Sequence, residues 1–119
     1  MAFEKFTDVG ARIGVPMVSI WSRGQIGFNQ GATIEFDVSD FKYVILYFDS
    51  ETRRVGFELT NDSKAEGAIK LLFRKNSGAS FSAVPFLRMK KIDHSETKKY
   101  VVYRDDESGF LVIDVNDPR

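Results

Sequence analysis

The chain has no cysteine and a single histidine, His94. Those two absences remove thiolate catalysis, disulfide staples and the common zinc sites built from Cys and His. No apolar run approaches the roughly 18 residues that a membrane span needs. The start, Met1-Ala2-Phe3-Glu4-Lys5-Phe6, carries an acid where a secretory leader would carry bases before a long apolar stretch. No membrane partner is therefore expected, and the cytoplasm is the expected compartment. Net charge is also missing: 17 bases balance 17 acids, which argues against a protein that coats nucleic acid by bulk electrostatics alone.

What is present is an ordinary globular composition, 43% apolar and 29% charged, over 119 residues. That length predicts one domain, residues 1–119, able to bury a core without metal or disulfide support. The charge is unevenly spread. Residues 70–104 hold nine bases (Lys70, Arg74, Lys75, Arg88, Lys90, Lys91, Lys98, Lys99, Arg104) against Asp93 and Glu96, a surplus that the rest of the chain offsets. Two readings stand: lysines on solvated strand and helix faces, or a basic surface built by the second half.

Hairpins are the clearest elements. Lys42 to Phe48 is β-branched and aromatic, passes through the polar turn Asp49-Ser50-Glu51-Thr52, and returns as Arg54 to Leu59 with Val55, Phe57 and Leu59 alternating toward a core. Lys99 to Arg104 leads through a turn with Gly109 into Phe110 to Val115 in the same way. Between the hairpins, Ala68 to Arg74 reads as a strand, Lys75-Asn76-Ser77-Gly78 as a turn and Ala79 to Ala83 as a short strand. Pro85 opens a short helix near 84–92, with Met89 and Ile92 three apart on one face and basic residues at its end. In the first half, Val18 to Trp21 and Gln25 to Asn29 are strands, followed by a short helix near 30–36 in which Ala32 and Phe36 share a face.

Both halves thus run strand, turn, strand, short helix, hairpin. The pattern predicts an α+β, predominantly antiparallel fold made of two ββαββ repeats, 18–59 and 69–115, joined by a polar connector at 60–67. They would pack as a pseudo-two-fold barrel or curved sheet. Chance likeness of two β-rich halves is the competing explanation. Residues 1–16 read as an irregular lead-in, with one helical turn near Phe3 to Phe6.

The run Ser22-Arg23-Gly24-Gln25-Ile26-Gly27-Phe28-Asn29-Gln30-Gly31-Ala32-Thr33-Ile34-Glu35-Phe36, continuing to Tyr43-Val44, resembles the swapped-hairpin domain of AbrB- and MraZ-type bacterial DNA-binding regulators. The apolar positions of that pattern fall on Ile26, Phe28, Ala32, Phe36, Val38 and Val44. The resemblance covers residues 18–59 directly and 69–115 through the repeat. It implies a barrel of two units in tandem and a DNA-binding role. This chain has Asn29 where the family has proline, Asp37 where glycine ends the helix, and only Arg23 in a loop the family fills with bases. In element order the chain is also similar to Whirly-type single-stranded-nucleic-acid-binding domains, which would make Trp21, Tyr43 and Tyr103 stacking platforms; aromatics on strands otherwise serve as core or cross-strand pairs.

Candidates for chemistry are few. His94 sits beside Asp93 just past the second helix, where solvation explains it. Asp105-Asp106-Glu107 lacks the spacing of a calcium loop, and Ser77, Ser80 and Ser82 lack a nucleophile elbow. The glycines around Arg23 have neither phosphate-loop nor dinucleotide spacing. No catalytic residue, metal or cofactor is expected. The expected function is a non-enzymatic nucleic-acid-binding protein, DNA or RNA, with phosphate contacts from Arg23, Arg74, Lys75, Arg88, Lys90, Lys91, Lys98 and Lys99. The alternative is an interaction or scaffold module, a homodimer in which opposite charges match and edge strands pair across a two-fold axis.

Overall fold

A computed structural model describes residues 15–74 and 78–119. The helical turn expected near Phe3 to Phe6, most of the turn at 75–78 and the candidate Lys75 lie outside the described residues.

Over the described residues the chain forms two five-stranded sheets, antiparallel at every pairing, with two short α-helices and one 3-10 turn at Val38–Asp40. In chain order the elements are β1 Met17–Ile20, β2 Gln25–Phe28, α1 Gln30–Glu35, β3 Tyr43–Asp49, β4 Arg54–Thr60, β5 Ile69–Lys70, β6 Leu72–Phe73, β7 Ala79–Ser82, α2 Val84–Met89, β8 Lys98–Val101, β9 Tyr103–Arg104 and β10 Leu111–Asp114. The first sheet has the order β6-β7-β2-β1-β8 and the second β5-β3-β4-β10-β9. Each sheet takes strands from both halves of the chain.

The two runs expected as continuous strands, 68–74 and 99–104, are each broken at one residue. Leu71 separates β5 from β6 and Val102 separates β8 from β9, and both are 3% exposed. At each break the chain leaves one sheet and enters the other while the residue at the break keeps the inward phase of the strand before it, Leu71 following Ile69 and Val102 following Tyr100 into the core. Corners of this kind are how a strand serves two sheets. They are held by Leu71 N–H donating to Lys42 O at 2.9 Å and Val102 N–H to Pro16 O at 3.3 Å.

The core lies between the sheets. Phe28 on β2 and Phe81 on β7 meet Phe57 on β4 edge-on, with centroids 5.3 and 6.2 Å apart. Val55 and Phe57 are fully enclosed as the alternation predicts, and Leu59 packs half-buried against them.

The helices are short because their ends are specified early. Asn29 caps α1: its Oδ1 accepts from Ala32 N–H at 2.8 Å, satisfying a donor that the first turn leaves free. The same oxygen accepts from Met17 N–H at 3.0 Å and Nδ2 donates to Val15 O at 3.0 Å, tying the helix start to β1. After Phe36 the chain turns through Asp37 in the left-handed region, φ 53°, a conformation that Asp tolerates better than most residues. The helix of the second half stops at Met89, three residues short of the expected 92. Lys91 N–H donates to Arg88 O and Ile92 N–H to Leu87 O, a Schellman ending with Lys91, φ 54°, where glycine is usual. The reversal turns Ile92 into the core at 4% exposure while Met89 stays 76% exposed, so the expected shared face does not form.

Candidate nucleic-acid interface

Side chains alternate across a strand, so the residues left over after the core is filled define the outward faces. On the first sheet they form one row. Leu72 pairs with Ser80, Ser80 with Gly27, Gly27 with Ser19 and Ser19 with Lys99. Three of these five residues are serine or glycine in adjacent strands, which leaves the middle of the face low.

Trp21 occupies that low ground. The β1–β2 turn closes with Trp21 N–H donating to Gln25 O and Gly24 N–H to Trp21 O, both at 2.9 Å. Gly24 is required there: its φ is 90°, and a Cβ would lie 2.2 Å from Cγ2 of Val84. A Cβ on Gly27 would lie 2.3 Å from Cη2 of Trp21, so the indole rests against the β2 backbone in the space that glycine leaves. The guanidinium of Arg23 sits 5.2 Å from the indole centroid and donates through Nε to Gln25 Oε1 at 2.7 Å.

A cleft of about 330 Å³ opens beside the indole, lined by Arg23, Arg74, Asn29, Gln30, Ser19 and Ser80 among others. Among the described residues no carboxylate lines it. The one ion pair among the described residues joins Arg119 to Asp117 at 3.3 Å, so neither arginine of the cleft is neutralised there. The arrangement offers a flat aromatic surface, two cationic forks suited to bidentate contact with an anion, and amide and hydroxyl groups between them.

Comparison with protein-family models, with curated proteins and with solved structures gives no match to this chain.

The other expected phosphate contacts fall in different places. Lys99 lies on the outward row beside Ser19, and Lys98 pairs with Ile20 in the register of the opposite face. Arg88, Lys90 and Lys91 gather at the C-terminal end of α2, where Arg53 donates to the carbonyls of Lys90 and Lys91 at 3.4 and 3.3 Å. Arg53 was not among the expected residues, because its link to α2 is set by tertiary packing alone. The first turn of α2 adjoins the Trp21 loop, with Ala83 N–H donating to Gly24 O at 2.9 Å. Six residues of helix rise about 9 Å, which sets the scale of separation between the two basic groups.

The remaining polar candidates are occupied locally. Nδ1 of His94 lies 3.1 Å from Ile92 O. Asp105 Oδ2 accepts from Ser108 N–H and Oγ at 2.9 and 2.7 Å, capping its own turn. Among the described residues no helix is long and apolar enough to cross a membrane.

Proposed function

We propose that this chain is a non-enzymatic nucleic-acid-binding protein whose contact surface is the outward face of the first sheet. The observation that carries the reading is the cleft in which Arg23 and Arg74, from opposite halves of the chain, flank the indole of Trp21 with no acid among the described lining residues. Phosphates meet the arginines and bases stack on the Trp21–Arg23 pair, an interaction that contributes about 1–3 kcal/mol per base and tolerates any sequence. A low, open sheet face suits a single strand better than duplex grooves, which are read by an inserted helix or ribbon. Lys99 continues the positive row, and the group at the end of α2 supplies further backbone contacts.

The same reading takes the fold as two ββαββ units in tandem about a pseudo-two-fold axis, the arrangement that the swapped-hairpin resemblance implies. It is supported by the central pairs. β2 and β7 are antiparallel, with Gln25 opposite Ser82 and Phe28 opposite Ala79, and each runs directly into a six-residue helix. β4 and β10, which close the two hairpins, are antiparallel as well.

Trp21 is the chain's single tryptophan, so its fluorescence reports on this site alone. Titration with a single-stranded oligonucleotide should quench it, with affinity falling as salt rises. Arg23→Ala and Arg74→Ala should each reduce the salt slope by about 0.7. Absence of quenching at low salt, or a slope unchanged in both variants, would refute the assignment.

A further inference from the structure

The outward face of the second sheet is built on a different plan. Its row runs Tyr47, Gly56, Val112, Tyr103 across β3, β4, β10 and β9. Phe110 covers Gly56, where a Cβ would lie 3.2 Å from its ring, and stacks on Tyr47 with centroids 4.4 Å apart and planes at 14°. Tyr47 and Tyr103 remain 40% and 39% exposed. Their cleft, about 360 Å³, has Asp49, Asp105 and Glu107 on its lining and Arg54 as its one cation among the described residues. Asp49 is held below the usual carboxylate range by the Thr52 and Glu51 amides, and Asp105 by the Ser108 hydroxyl and amide, so both are charged at neutral pH.

The two sheets pack on each other through Phe28, Phe57 and Phe81, so their outward faces look in opposite directions. One side of the molecule presents Arg23, Arg74 and Lys99, and the other presents aromatic rings rimmed by carboxylates. We infer that the aromatic, acid-rimmed face of the second sheet docks a second copy of this chain, seated by its arginine-bearing first-sheet face. Guanidinium groups from one copy lie over Tyr47, Tyr103 and Phe110 of the next and meet Asp49, Asp105 and Glu107, joining cation–π attraction to opposite charge.

One further observation favours face contact over the edge pairing expected from sequence, and a second permits association of either kind. The outermost strands β5, β6, β8 and β9 are two to four residues long and turn at Leu71 and Val102 into the neighbouring sheet, leaving little edge to extend. The chain is also neutral overall, so copies do not repel one another. Because the complementary surfaces lie on opposite sides, the contact is heterologous. Each copy offers its arginine face to one neighbour and its aromatic face to another, which builds a row unless rotation closes a ring. The contact depends on the arginine face and not on its nucleic-acid role, but if both hold, nucleic acid and a second copy compete for the same arginines.

The test is sedimentation velocity on the full chain. The unaltered protein should assemble with rising concentration at low salt and dissociate at high salt. A chain carrying Glu107→Lys and Tyr103→Ala lacks the aromatic face, and one carrying Arg23→Glu and Arg74→Glu lacks the arginine face. Each alone should self-associate about tenfold or more weakly, while an equimolar mixture should regain one intact contact and stop at a dimer. Circular dichroism confirms folding, and Glu107→Gln, at an exposed side chain, gives a milder version of the first variant. A wild-type monomer at low salt, assembly that survives in either variant alone, or a mixture that stays monomeric would overturn the inference. Quenching of Trp21 by oligonucleotide in the Glu107→Lys, Tyr103→Ala chain tests the nucleic-acid reading separately, since that chain keeps the whole arginine face.

Discussion

Replacing Asn29 with alanine should cost far more than a surface polar change usually does. The side chain makes three hydrogen bonds: from the amides of Ala32 and Met17 to Oδ1, and from Nδ2 to Val15 O. Loss of the helix cap costs about 1 kcal/mol. The two ties to β1 contribute roughly 0.5–1.5 kcal/mol each, and the Met17 and Ala32 amides sit in part-buried surroundings where an unmet donor is not fully repaid by water. The expected loss is about 2–4 kcal/mol, which at this chain length lowers Tm by roughly 8–16 °C. Urea denaturation followed by Trp21 fluorescence and by far-ultraviolet circular dichroism should show coincident transitions, shifted in midpoint with the slope unchanged. Asn29→Asp keeps the double acceptor and loses only the donor to Val15, so it should cost about 1 kcal/mol. An alanine variant within about 0.5 kcal/mol of the parent, the range of an ordinary surface change, or an aspartate variant as damaged as the alanine one, would show that this side chain does not join α1 to β1.

Gly27→Ala should leave stability within about 1 kcal/mol, since alanine is no worse than glycine in a strand, but must lift the indole that a Cβ would strike at 2.3 Å. A red-shifted Trp21 emission and weakened oligonucleotide quenching are expected; unchanged emission would refute the packing described for that ring. For acid, the sign follows from Asp49, Asp93 and Asp105, each held below its ordinary value chiefly by hydrogen bonds from its own turn: the Thr52 amide, the Ser95 amide and the Ser108 hydroxyl. A depressed folded-state value means stabilisation that is complete above the unfolded value of about 3.9 and is lost as pH falls through the folded values. Urea midpoints should therefore drop below about pH 4, and Asp105→Asn should flatten part of that drop; an unchanged acid profile in that variant would refute the assignment.

The hairpins and helix starts were legible in the sequence because their signals are local: alternation at 54–59, the turn at 49–52, Pro85 at the first turn of α2. The departures from expectation are tertiary. Nothing in Ala68 to Arg74 marks Leu71 as a corner, because what bends the chain there is the presence of two sheets to serve. The end of α2 escaped for a different reason: Lys91 carries no composition signal for the left-handed conformation it adopts. Arg23 and Arg74 were both singled out by charge, yet their meeting at Trp21 depends on β2 pairing with β7 across half the chain, and no local pattern encodes that register.

What distinguishes the two outward faces cannot come from the core, which asks the same of both sheets. Each sheet nonetheless carries a glycine on an inner strand, Gly27 on β2 and Gly56 on β4, and each is covered by an aromatic ring, Trp21 and Phe110. Glycine inside a strand is less stable than alanine by roughly 0.5–1 kcal/mol, and a ring laid over it recovers part of that loss by covering exposed backbone. A stability argument alone would favour alanine or a β-branched residue at both places. The glycines let a ring approach the strand backbone more closely than any Cβ would allow, and such a ring can offer its π-surface to a base or a guanidinium. The charges beside each ring differ in sign: arginines stand beside Trp21, and carboxylates, with Arg54 among them, beside Phe110 and Tyr103. Substituting either glycine therefore perturbs one outward face and leaves the other intact, so the two faces can be tested separately by a single methyl group on each.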